Sequence, residues 1–143
     1  MASVSEQVIV AVQALVEAAL PVADVDRNRS KPQSVAAGGT VIVRDGDPGE
    51  PEVDLSPIAY NYSHRIPLDL GVYGTADDTA ETRLDAMRLA LAAAVMADRT
   101  LGGLCQFLDL QPGDTGDLDA PGAVTGRWAE VVVVADYVTA SPL

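Results

Sequence analysis

Residues 58–72 read Ile-Ala-Tyr-Asn-Tyr-Ser-His-Arg-Ile-Pro-Leu-Asp-Leu-Gly-Val, and each even position, Ile58, Tyr60, Tyr62, His64, Ile66, Leu68, Leu70 and Val72, is large or apolar. The odd positions between them include Asn61, Ser63, Arg65 and Asp69. Side chains alternate faces along a strand, so this period of two predicts a long β-strand with one face on a core and the other polar. It also sets His64, the only histidine, in the core-facing row. Pro57 stands at the start of the stretch and Pro67 on its polar side. A proline inside a strand predicts a sheet edge or a bulge, and a long exposed edge is a place for another subunit to dock.

Before this strand, residues 4–20 carry Val8, Val12, Leu15 and Ala19 at helical spacing, widened by Ile9, Val16 and Leu20. Ser3 with Glu6 three residues on is a capping-box pattern, and Pro21 stops the helix. Residues 21–25 are a possible strand start, and residues 26–32, rich in charge, Asn and Pro, read as a loop. A β-branched run at residues 40–44 predicts a short strand. It is followed by a turn-dense acidic segment that continues to Asp54.

After the long strand, residues 79–97 predict a second helix, with Ala80, Leu84, Met87, Leu91 and Ala94 or Val95 on one stripe. Asp78 or Thr79 is its expected cap. A short helical turn is expected before the paired Gly102 and Gly103, whose backbone freedom ends helical structure. Residues 105–110 read as a strand, residues 111–126 as a Gly-, Asp- and Pro-rich loop, and residues 127–138 as a last strand. The four valines Val131, Val132, Val133 and Val134 place that strand in the sheet interior. The expected class is α+β, a single mostly antiparallel mixed β-sheet with two helices packed on one face.

Composition narrows function. The chain has 143 residues, 48% of them hydrophobic, enough for a core within one domain spanning residues 1–143. Aromatic residues are only 4%, so small and branched side chains must close the layers. The balance of 21 acidic against 9 basic residues, a formal charge of −12, disfavours a grip on nucleic acid phosphate or anionic lipid. An acidic wall past which DNA slides remains compatible with it. No apolar run reaches the length of a membrane span, and no basic leader precedes the first helix, so a soluble, leaderless protein without a membrane partner is expected.

The lone Cys105 forbids an intramolecular disulfide and provides no metal-ligand pair, which fits assembly in a reducing cytoplasm. His64 and Cys105 are the only candidates for a base and its nucleophile, and a small cytoplasmic hydrolase or transferase would use them together. The packing reading, His64 in an apolar row and Cys105 as a small buried residue, is simpler. The sequence contains no nucleophile elbow, phosphate loop, dinucleotide fingerprint or zinc spacing. Asp114, Asp117 and Asp119 lack the Gly and Glu of a calcium loop, and neither cofactor nor metal is expected. Arg27, Arg29 and Lys31 form the single basic cluster; pairing with an acidic loop of a neighbouring copy is one physically motivated reading, and a solvated turn is the other, since surface pairs contribute little.

The order of short motifs resembles one family. The first helix, Asp-Arg-Asn-Arg at 26–29, Val-Ile-Val-Arg-Asp-Gly-Asp at 41–47, the tyrosine-rich strand with His64-Arg65, and residues 98–103 are similar to tail-terminator (tail-completion) proteins of long-tailed bacteriophages and related gene transfer agents. The resemblance covers nearly the whole chain. It implies a virion protein and no enzyme: a hexameric ring, assembled in the host cytoplasm, at the head-proximal end of the tail. There it would cap the tail tube protein, stop its polymerisation and meet the head-tail connector or head-completion protein, with double-stranded DNA passing through the lumen without specific binding. The family has no fixed functional motif to carry over. The expected contact residues, Arg27, Arg29, Lys31, Asp45, Asp47, Glu50, Arg65, Asp114 and Asp117, follow instead from charge and from the loops at residues 45–54 and 111–126.

Overall fold

The computed structural model describes residues 2–28, 35–118 and 125–143. It is an α+β fold: two helices lie on one face of a six-stranded, mostly antiparallel sheet. The elements are α1 (Val4–Ala19), β1 (Asp24–Arg27), β2 (Thr40–Val43), β3 (Glu52–Leu55), β4 (Ile58–Tyr73), α2 (Ala80–Ala97), a 3-10 turn (Leu101–Gly103), β5 (Phe107–Leu118) and β6 (Gly126–Thr139). Strand order is β1-β2-β4-β6-β5, with β3 as an extra partner of β4. Only β1 and β2 run parallel.

The period-two stripe is the core. Ile66, Leu68, Leu70 and Val72 of β4 are sealed with Ala129, Val131, Val133 and Ala135 of β6 under Val8, Val12 and Val16 of α1 and Leu84, Met87, Leu91 and Val95 of α2. Each such Val, Leu or Ile adds about 1.5–3 kcal/mol when taken from water. The opposite face carries polar side chains around a smaller apolar patch in which Ile42 and Val132 are buried, and there Arg44 pairs with Asp69 at 2.8 Å. Ser3 caps α1 by accepting the Glu6 N–H, and Thr79 caps α2 by accepting that of Thr82. The Glu6 carboxylate does not complete a capping box, because it reaches Arg27 instead.

Several expectations are corrected. β4 is an interior strand, paired with β6 over residues 60–73 and with β2 and β3 along its other side. Pro67 marks a bulge and not an edge. Arg44 donates to the Pro67 carbonyl and Asp47 exchanges both backbone bonds with Arg65, so Asp45 and Gly46 together face Ile66. Only glycine fits at position 46, where φ is +71° and a Cβ would lie 1.9 Å from the Arg65 carbonyl oxygen.

β1 extends through Asp26 and Arg27, where a loop was expected, because it pairs with β2 in register up to Val43. β3 arises inside the acidic segment, and β5 runs on to Leu118 through the first half of the predicted 111–126 loop. A register shift between Pro112 and Thr115 absorbs the proline, and Gly113 lets the backbone approach Glu130, whose carbonyl oxygen lies 2.6 Å from a Cβ built there. The 3-10 turn contains Gly102 and Gly103 instead of preceding them. β6 is interior, as its valines predict, with Val131, Val132 and Val133 buried.

Candidate functional site

His64 is 1% exposed and both of its ring nitrogens are engaged. Nε2 lies 2.6 Å from the Asp45 carbonyl, which only accepts, so Nε2 carries the proton and Nδ1 accepts from the Tyr137 hydroxyl at 3.0 Å. Burial holds the imidazole below its ordinary pKa of 6.5, against the opposing pull of the Asp45 carbonyl and the charges of Asp47 and Asp45. Cys105 is buried elsewhere, its Sγ 3.7 Å from the Arg99 carbonyl, and burial, with the charges of Asp98 and Asp136, pushes its thiol up. His64 and Cys105 share no hydrogen bond. What this geometry does is fasten the 45–47 segment to the sheet.

The fastening reaches α1. Tyr137 on β6 donates to His64 on β4, and His64 donates to the Asp45 backbone. The Asp45 carboxylate accepts from Arg27 Nε at 2.8 Å, and the other face of that guanidinium holds Glu6, on α1, in a bidentate pair at 2.5 and 2.8 Å. The Arg27 hydrogen bond is the main reason both carboxyls are held below their ordinary values. Because Glu6 and Asp45 face solvent, this pair contributes modestly. Arg27→Met should lower the melting temperature less than any core truncation, and the difference should shrink at high salt; a salt-independent loss in thermal unfolding would count against an electrostatic role.

The expected contact residues therefore separate. Arg27 and Asp45 meet within one chain, so the cation assigned to a neighbour's acidic loop is engaged at home. Arg29, Lys31 and Asp119 lie outside the described residues. Asp47 pairs by backbone with Arg65, and its carboxylate caps the Gly49 N–H at 2.8 Å. Arg65 reaches across the outer face to Gln111 at 2.9 Å. Glu50 is exposed, Asp114 sits at the β5 bulge, and Asp117 pairs with Arg127 at 2.6 Å on β5 and β6. Among the described residues no group of three or more metal-ligating side chains forms, and no helix is long and apolar enough to cross a membrane.

The fastened segment is the base of a projecting arm. β3 pairs only with the first residues of β4, joined by the two-residue turn Ser56 and Pro57. Val53 stands opposite Tyr60 and Leu55 opposite Ile58, and directly opposed residues share a face, so these four extend the core side of β4 past the part that the helices cover. Leu55 is 80%, Ile58 57% and Val53 45% exposed. The reverse face is polar, with Glu52 opposite Asn61 and the Asp54 carboxylate accepting from the Asn61 amide. Tyr62 anchors the root, its hydroxyl on the Pro142 carbonyl at 2.6 Å and its ring 5.6 Å from that of Tyr137.

No family model and no curated protein matches the chain. The residues that sequence reasoning missed are those of β3. The signal was there, since Glu52, Val53, Asp54 and Leu55 alternate with period two, but four acidic-rich residues inside a turn-dense segment read as loop.

Proposed function

We propose that this chain is a tail terminator: copies close into a hexameric ring that caps the finished tail tube, ends its polymerisation and joins the tail to the head connector while DNA passes through the lumen. The observation that carries the reading is the arm. A solvent-exposed apolar strip on a hairpin held out from the core, with its base tied to α1, β1, β4 and β6, is a surface made to be covered by another protein. The motif order that resembles tail terminators supports it, as does the fold class, a mixed sheet with helices on one side, which is the class that family implies.

The mechanism is geometric. A contact between two different patches closes into a ring when the rotation between copies permits, and one face of that ring occupies the surface where the next tube subunit would add. Growth stops by occupation. The net charge of −12 favours passage of DNA over its retention, because a wall repelling phosphate does not trap it. Electron microscopy of particles lacking this protein tests the reading: overlong or headless tails are expected, and normal tails joined to filled heads overturn it. Cys105→Ser separates it from a thiol enzyme, since an assembly protein keeps its stoichiometry and its tails.

A further inference from the structure

The arm is also an open sheet edge. β3 pairs with β4 on one side, and among the described residues no strand lies on its other side, so alternate residues turn their N–H and C=O groups to solvent. All four of its residues are exposed, and neither a proline nor a register shift interrupts them. Such an edge is a template for one more strand. The far edge of the sheet is closed by comparison. In β5, Arg99 donates to the Leu108 carbonyl at 3.0 Å, Pro112 has no N–H to give, and the register shifts between Pro112 and Thr115.

What β3 can accept is set by its two faces. A strand added beside it places its side chains directly opposite those of β3, so the newcomer continues each face of the arm. Val53 and Leu55 share the apolar face with Tyr60 and Ile58, whereas Glu52 and Asp54 share the reverse face with Asn61. Among the described residues no ion pair engages either carboxylate. The complement is a strand with apolar residues at alternate positions and Lys or Arg between them. Among its described edge strands this chain offers none. A second β3 would set Glu52 and Asp54 against their own kind, β1 carries Asp24 and Asp26, and like charges directly opposite destabilise a pair. The basic run Arg27-Asn28-Arg29-Ser30-Lys31 has only Asn and Ser between its cations, so it brings no apolar row to Leu55. The two carboxylates turn away copies of the chain and admit a basic strand.

We propose that β3 is completed by a strand of a different protein, one that alternates apolar residues with Lys or Arg, its apolar row beside Val53 and Leu55 and its cations beside Glu52 and Asp54. The inference rests on the reading above for the source of that strand, a protein that the ring meets. Backbone bonds supply affinity, and the two faces supply the choice.

Amide hydrogen exchange of the 143-residue chain tests this with a capped Val-Lys-Val-Lys-Val-Lys peptide. At millimolar concentration it should slow exchange of the solvent-facing β3 amides about tenfold. The same peptide methylated at every backbone nitrogen keeps its charge and loses its donors, and should slow nothing; nor should Val-Glu-Val-Glu-Val-Glu. Glu52→Lys with Asp54→Lys should reverse the preference, weakening the Lys peptide about tenfold and admitting the Glu peptide. Equal effects of the parent and methylated peptides would show attraction by net charge alone and overturn the proposal. Unchanged exchange in β3 would do so too, as would slowing that appears without peptide when the protein is concentrated, which puts a second copy on the edge. Normal tails in particles lacking the protein, with β3 protected by the peptide, would keep this edge and remove the terminator; overlong tails with β3 unprotected would do the reverse.

Discussion

Leu68→Ala lowers the free energy of unfolding by about 2–5 kcal/mol, because the cavity left at a fully buried site adds to the lost transfer energy. Leu68 lies mid-β4, opposite Val43 on one side and Val131 on the other, all three under the helices. No neighbour is free to collapse into the space. Thirteen residues earlier, Leu55→Ala on the arm should change stability by less than about 0.5 kcal/mol, because that side chain is already in water. Urea unfolding of both variants measures the contrast. Equal losses would mean that the arm is part of the core and would remove the reason for seeking a partner for it.

His64→Ala is expected to cost about 2–4 kcal/mol, from a cavity at a sealed position and from leaving the Tyr137 hydroxyl and Asp45 carbonyl without their partner. The same residue should shape the pH dependence. Its folded pKa is depressed below 6.5, so above pH 6.5 the ring is neutral in both states and its bonds to Tyr137 and Asp45 are at full strength. As pH falls below 6.5 the unfolded chain takes up a proton first, and stability declines until the pH passes the folded value. Glu6 and Asp45 act in a separate, lower window. Their folded values are depressed below 4.5 and 3.8, so their contribution is present above those values and is lost as pH falls through the depressed ones. Unfolding curves of His64→Gln between pH 7 and pH 5 should lose the slope that the parent shows. A parent curve flat across that interval would show that the buried neutral ring has no energetic role.

Much of the layer architecture is legible from periodicity. The α2 stripe names its buried residues nearly one for one, the β4 stripe does so from His64 to Val72 while Ile58 is exposed and Tyr60 and Tyr62 are half-buried, and the caps at Ser3 and Thr79 follow from side chains that accept the first free N–H groups. What periodicity could not reveal was pairing. Pro67 announces an irregularity, but whether it lies at an edge or opposite a bulge depends on the strand beside it, and the 41–47 segment provides a bulge. β3 and the distal half of β5 are strands because β4 and β6 are long enough to template them, although their own residues, Glu52 and Asp54 or Gly113 and Asp114, resemble loop composition.

The chain alone determined which face of each element turns inward, since that follows from apolar spacing that each segment carries locally. Only the tertiary structure decided which charges meet. Arg27 lies 21 residues from Glu6 and 18 from Asp45, and His64 lies 19 from Asp45 and 73 from Tyr137. Such contacts depend on strand order, and strand order is a property of the whole sheet. The same folding that satisfies those groups leaves Leu55 and Ile58 unmet, because the helices end before they can cover them.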